Sequence, residues 1–258
     1  MKVVTIANSK GGVGKTTTTQ AMLEGFRNRG LKVLAIDLDP QSNLSSVYHY
    51  EDNGKTVLDV LKKEPIDECI NHTQEGIDLI QGDFTISLID QIFTGMDKDY
   101  LLKEAIAPIK NNYDFILIDT PPFLNTATTN AMTCSNSVLI PLLADFFSIQ
   151  GLAQLFQTIQ AVQVYRNPDL KIDGILINQY QGYTNINQEL SKELEGISNE
   201  VKIPIFTTKI RYGIAIKTQQ KEQKEILKAP SNVAIDFKSF VNEYLQRMER
   251  NEKNDEIL

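Results

Sequence analysis

The chain is 258 residues long, 41% apolar and 23% charged, with a net charge of −7, two cysteines and no tryptophan. Those figures describe a chain able to bury one substantial core, and they exclude a disordered segment, a disulfide scaffold and a generally basic nucleic-acid binder. No apolar run approaches the roughly 20 residues of a bilayer-spanning helix, and Met1 leads into a strand with no basic leader, so the expected location is the cytoplasm, without membrane contact.

The first predicted element is a strand over Lys2–Asn8, which runs into the loop Ser9-Lys10-Gly11-Gly12-Val13-Gly14-Lys15-Thr16-Thr17. Gly11, Gly12 and Gly14 permit the positive φ values that turn successive backbone N–H groups toward one anionic centre. Lys15 then places its ammonium on the outer phosphates of a nucleotide, and Thr16 offers a hydroxyl to a magnesium ion bridging them. A helix beginning there points its positive dipole end at the same place. The expected ligand is a nucleoside triphosphate. The usual pattern asks for glycine at position 9, where this chain has Ser9 followed by Lys10, so the loop is a variant.

A second strand, Val33–Ile36, delivers Asp37-Leu38-Asp39-Pro40-Gln41 to the sheet edge where open α/β folds bind ligands. Alternation sends Asp37 and Asp39 to one side, toward the phosphate loop if the first two strands are neighbours. Such carboxylates hold magnesium-bound water or orient an attacking water; an aspartate at a strand end also serves as a helix N-cap. After a strand at Ile77–Ile80, the apolar run Phe115–Ile118 brings Asp119 to the same edge, followed by the constrained turn Thr120-Pro121-Pro122. This is a Walker B and switch arrangement, in which Asp119 accepts from magnesium-bound water and the turn reads the γ-phosphate; strand-end capping is again the simpler alternative. Strands at Ser137–Pro141 and Ile172–Ile177 follow. The latter ends in Asn178, whose amide can donate to and accept from a purine edge, or merely close a turn. A GTPase would want Asn-Lys-x-Asp here; the chain has Asn178-Gln179-Tyr180-Gln181, so ATP is preferred. Cys69 and Cys134 have no metal-ligand spacing.

Strands alternating with helical segments imply an α/β fold, a single doubly wound and mostly parallel sheet with helices on both faces, in one domain over 1–258. Near the end, Phe237, Phe240, Val241, Tyr244, Leu245 and Met248 recur at helical spacing, which predicts an amphipathic helix over 233–250 packed on the core. Between these elements, Lys202–Lys228 holds seven cations against Glu222 and Glu225 alone. A local basic stripe suffices for phosphate contacts, although such a run also suits a solvated helix face; Lys209, Arg211, Lys217, Lys221 and Lys224 are the candidate DNA contacts.

The residues Lys10–Thr17 resemble the deviant Walker A loop of the ParA/MinD family of ATPases. The resemblance extends through Asp37-x-Asp39-Pro-Gln, the stretch ending at Asp119-Thr-Pro-Pro, Asn130-Ala131, Asn136-Ser137-Val138 and Asp145–Gly151, and covers Lys2 to Leu245. Two departures occur, Asn136 where many relatives carry aspartate and Gln150 where many carry glutamate. The family likeness implies a partition ATPase of the small type, without an N-terminal DNA-reading domain. Magnesium and ATP are the implied cofactors, with nucleotide bound by Lys10 to Thr17 and Asn178. Thr16, Asp37 and Asp119 are assigned to the metal, the aspartates through water, and Lys10, Lys15 and Asp39 to catalysis. Lys10 is implied to reach the partner's phosphates in an ATP-bound homodimer that binds double-stranded DNA without sequence preference, until a ParB-type adaptor stimulates slow hydrolysis. The segment Ile203–Arg211 resembles a dimer-edge stretch with no residue-by-residue register. Two other classes share this fold. A MinD-like ATPase acting on a membrane or protein cargo would want a basic amphipathic tip, unlike Asn251–Leu258, and an iron–sulfur carrier would want cysteines arranged otherwise than Cys69 and Cys134.

Overall fold

The computed structural model describes residues 1–143, 145–181 and 194–255. Its centre is a seven-stranded sheet in the order β3-β4-β2-β5-β1-β6-β7. The strands are β1 (Lys2–Ile6), β2 (Val33–Asp37), β3 (Asn71–His72), β4 (Asp78–Ile80), β5 (Phe115–Asp119), β6 (Ser137–Leu143) and β7 (Lys171–Asn178). All pair in parallel except β3, which runs antiparallel to β4 with His72 opposite Asp78. The six parallel strands are those expected from their apolar runs. The short polar β3 carries no such signal.

Strands buried on both faces need two helical layers. On one face lie α1 (Lys15–Arg27) and the final helix, α8 (Asn232–Asp255), against Val4, Ile6, Ala35, Leu117 and Leu139. On the other, α2 (Val57–Leu61), α4 (Leu101–Ile106) and α5 (Thr126–Cys134) cover Val3, Leu34, Ile36, Ile116 and Ile118. The short α3 (Ile89–Ile92) precedes α4, and α6 (Phe146–Tyr165) covers the β6–β7 side through Leu152, Leu155 and Ile159. Alternate residues of each strand thus serve alternate layers. The helix α7 (Ala215–Lys221) stands beside α1 near the carboxyl ends of the strands.

The amphipathic C-terminal helix forms as its spacing predicts, burying Phe237, Phe240, Val241 and Tyr244. It can lie close to α1 because position 25 is glycine: a Cβ there would meet Val241 Cγ1 at 2.7 Å. Aromatic rings complete the seam, with Phe26 and Phe115 centroids 4.4 Å apart and Phe206 edge-on to Phe240 at 5.0 Å. At the amino ends of the strands, Asp173 accepts from Lys2 Nζ at 3.0 Å, Ser137 Oγ at 2.6 Å and the Tyr244 hydroxyl. This node fastens β1, β6, β7 and α8 together.

The condition attached to Asp37 and Asp39 is not met: β1 and β2 are not neighbours. Strand β5 lies between them, pairing Ile6 with Asp119 on one side and Asp37 with Asp119 on the other. Pairing between remote segments is not written in local periodicity, and its consequence is that Asp119 occupies the middle of the edge.

Candidate functional site

Between β1 and α1 the chain turns through the glycine-rich loop, with Gly12 at φ +75° and Gly14, the N-cap of α1, at φ +92°. Both values lie in the left-handed region that only glycine enters without strain. Gly14 has a second reason to be glycine, because a Cβ there would sit 2.7 Å from Asn178 Nδ2. That amide is buried under the loop and donates to Val13 O at 2.9 Å and Thr18 Oγ1 at 3.2 Å. Its neighbour Gln179, at φ +53°, donates from Nε2 to Gly12 O at 2.8 Å. The end of β7 therefore clamps the loop from below, a role for Gln179 that reading along the chain does not suggest. Asn8 steadies the other side, accepting from Lys10 N at 2.9 Å and donating to Pro141 O at 2.8 Å.

The three aspartates converge where the loop enters α1. Asp119 is fully buried and accepts from Thr16 Oγ1 at 2.6 Å, with Thr19 Oγ1 at 3.4 Å from its other oxygen. Burial raises its pKa to about 8, and the Asp37 carboxylate adds to the rise. Asp37, also fully buried, receives Ser45 N at 2.9 Å, Ser45 Oγ at 2.7 Å and Asp39 N at 3.1 Å. Burial lifts it to about 6 against the pull of those donors. Asp39 lies beyond the strand end rather than in it, and accepts from Gln41 N at 2.9 Å. Lys15 is buried as well, with its Nζ 3.2 Å from Lys10 O; burial lowers its pKa while Asp119 and then Asp39 raise it. One cation thus faces a crowd of carboxyl groups.

Two residues that support this crowd escape sequence reasoning. Ser45 holds Asp37, and Gly82 lets the chain after β4 pass close by, since a Cβ there would meet Ser42 Oγ at 2.6 Å and Asp37 Cγ at 3.1 Å. The only sequence signal is a glycine ending the Ile77–Ile80 run. Lys10, by contrast, points away from the aspartates: its Nζ contacts Asp145 Oδ1 at 2.8 Å and Oδ2 at 2.9 Å. Asp145 also N-caps α6 through Ser148 N.

A cleft of about 980 Å³ opens over the loop, lined by Gly11, Gly12, Gly14, Lys15, Thr16, Thr17, Asp39 and Asn178, with Phe84 and Phe123 exposed at its mouth. Its volume suits a nucleotide-sized ligand. The basic segment borders the same cleft, but the structure divides its cations. Arg211, Lys217 and Lys221 all line the cleft, but the Arg211 guanidinium forms a two-point ion pair with Asp236 at 2.7 and 2.8 Å. Lys209 lies over the Tyr180 ring at 4.7 Å, and Lys224 pairs with Glu222 at 2.8 Å. No helix among the described residues is long and apolar enough to cross a membrane. Of the tip Asn251–Leu258, residues 256–258 and the side chains of 251–255 lie outside the described residues.

A family model described as an AAA domain matches residues 1–172. The sporulation initiation inhibitor protein Soj of Bacillus subtilis is 35% identical over 231 residues, covering 88% of this chain and 90% of Soj. The chromosome partitioning protein ParA of Caulobacter vibrioides is 35% identical over 201 residues, 75% of each chain. The chain belongs to the ParA/Soj family of P-loop ATPases. Among solved structures, cobyrinic acid a,c-diamide synthase of Mycobacterium smegmatis with bound ADP and magnesium superimposes with a TM-score of 0.82 at 26% identity, covering 96% of both chains. The doubly wound parallel sheet is thus the architecture of this ParA/Soj chain on both sequence and structural grounds.

Proposed function

We propose that this chain is an ATP-dependent partition ATPase whose cleft binds ATP and magnesium. The observation that carries the reading is the group of Lys15, Thr16, Asp37, Asp39 and Asp119 around the glycine loop, in a chain 35% identical to Soj. Two features support the fit of the ligand. The Thr16 hydroxyl already donates to Asp119 at 2.6 Å, and Asp37 lies opposite Asp119 in register. A magnesium ion would therefore be held by Thr16, phosphate oxygens and water, with Asp119 and Asp37 accepting from that water. When bound, the ion would offset the phosphate charge. Lys15 serves the outer phosphates, Asp39 orients the attacking water, and the buried Asn178 Oδ1, which has no hydrogen-bond partner among the described residues, is free to accept from the base side.

In this reading Lys10 exchanges Asp145 for the phosphates of a second copy, closing a homodimer with ATP. The dimer then holds double-stranded DNA through a local basic surface, for which exposed Lys217 and Lys221 are the best placed candidates. A ParB-type adaptor stimulates hydrolysis to ADP and phosphate and so releases the DNA. One domain carries all these steps, in the cytoplasm.

The test is binding to non-specific double-stranded DNA without nucleotide, with ADP and with ATP–magnesium, at two salt concentrations. ATP-dependent, salt-sensitive binding that Lys10→Ala abolishes and Asp39→Ala retains is the expected result. DNA binding that ignores nucleotide, or none in any state, would overturn the cycle.

A further inference from the structure

The helix α1 that begins at the phosphate loop is strapped to the basic segment by a continuous line of hydrogen bonds. Gln220, half-buried on α7, donates from Nε2 to Thr17 Oγ1 at 3.3 Å and to Gln20 Oε1 at 3.0 Å. Gln20 Nε2 donates in turn to Glu24 Oε1 at 2.9 Å. The fully buried Glu24 carboxylate then accepts the backbone amides of Ile226 at 3.1 Å and Leu227 at 2.9 Å. Between the two anchor points the chain turns back at Gln223, φ +50°, whose side chain donates to Ser46 O at 2.9 Å. Burying a carboxyl group is costly, and burial does push Glu24 up to about 7 against the amides that pull it down. A strap kept at that cost calls for a use.

Its polarity supplies one. Because Gln220 can only donate through Nε2, Thr17 Oγ1 is the acceptor in their contact, and the Thr17 hydroxyl hydrogen is left for another acceptor. No other side-chain bond of Thr17 exists among the described residues, and Thr17 lines the cleft. We propose that Gln220 is a positioning residue of the nucleotide site, aiming the Thr17 hydroxyl at a nucleotide phosphate, and that the same strap tightens the segment carrying Lys217 and Lys221 when phosphate is bound. An anion accepting from Thr17 polarises its oxygen, which strengthens the bond that Gln220 donates; the amide so fixed holds Gln20 in place, and Gln20 holds the Glu24 carboxylate that seats Ile226 and Leu227. The inference rests on the nucleotide reading of the cleft.

Titration calorimetry of ADP–magnesium into the full chain separates the two. Wild type that binds no ADP overturns both readings. If wild type binds, Gln220→Ala should raise Kd about fivefold, the size of one neutral hydrogen bond. Gln220→Glu should raise it further, because a carboxylate there captures the Thr17 hydrogen and sets negative charge beside the phosphates. Thr17→Val combined with Gln220→Ala should be no worse than Thr17→Val alone. Unchanged affinity in both Gln220 variants, or losses that add, would overturn the positioning role; thermal melts of the ligand-free variants identify any that fail to fold, and Gln220→Asn, which keeps the amide but shortens its reach, then takes their place with the same expectation as Gln220→Ala. Hydrogen exchange of peptides over 222–229 tests the coupling: ADP–magnesium should slow it in wild type and not in Gln220→Ala. Equal slowing in both would break the strap as a link.

Discussion

The two ends of the sheet both hold carboxylates, half-buried at one and fully buried at the other, and they treat them in opposite ways. At the amino ends, Asp173 is matched by one ammonium, one hydroxyl and one phenol, all from elements it fastens together. At the carboxyl ends, Asp37 and Asp119 are more deeply buried and sit opposite each other in register, and Lys15 is the cation beside Asp119. The first arrangement is finished within the chain. The second crowds carboxyl groups whose burial is not offset within the chain, a cost that a bound cation would relieve.

Breaking the finished end should cost most in stability. Asp173→Ala leaves Lys2 and Tyr244 without their shared acceptor and should lower the unfolding free energy by about 3 kcal/mol in a denaturant titration, with ADP–magnesium affinity unchanged. The unbalanced end should respond in the other direction: Asp119→Asn should leave or raise the melting temperature while weakening ADP–magnesium binding by about 2 kcal/mol, roughly thirtyfold. A simultaneous loss of stability and binding in that variant would contradict the contrast.

The pH dependence sharpens it. Asp37 and Asp119 have folded pKa values of about 6 and about 8, above the ordinary 3.8. A carboxyl raised in this way contributes stability while protonated; the contribution is whole below the unfolded value and lost as pH rises through the folded one. Ligand-free protein should therefore lose stability, and its melting temperature should fall, as pH rises from about 5.5 to about 8.5, and Asp119→Asn should flatten the slope. The smallest effect belongs to Tyr244→Phe, which removes one hydrogen bond to Asp173 and should cost about 1 kcal/mol with no change at the cleft.

The same division explains what can be read along the chain. Phosphate-loop residues are contiguous, and Asp119 follows an apolar run at the point where a strand must end, so both are legible from local pattern. Asn178 is legible as a strand-end amide, yet its clamp on Val13 O depends on β7 arriving beneath a loop 165 residues away in sequence. Ser45, Gln179 and Gln220 have no local signature because their partners are supplied by chain closure, and Gly82 has only its place after an apolar run. The place of β5 between β1 and β2 belongs to this class too, since any of the apolar strands could pair with any other.

The short strand β3 has one more consequence. Two residues long, polar and running against its neighbour, it terminates one margin of the sheet, while at the other margin Ile205 forms a single bridge to Ile175 of β7 and Arg211 one to Tyr180 just beyond it. Neither margin among the described residues offers a long, bare row of peptide groups on which another chain could template itself. What these margins present to a neighbouring molecule is therefore side chains rather than an open ladder of peptide groups.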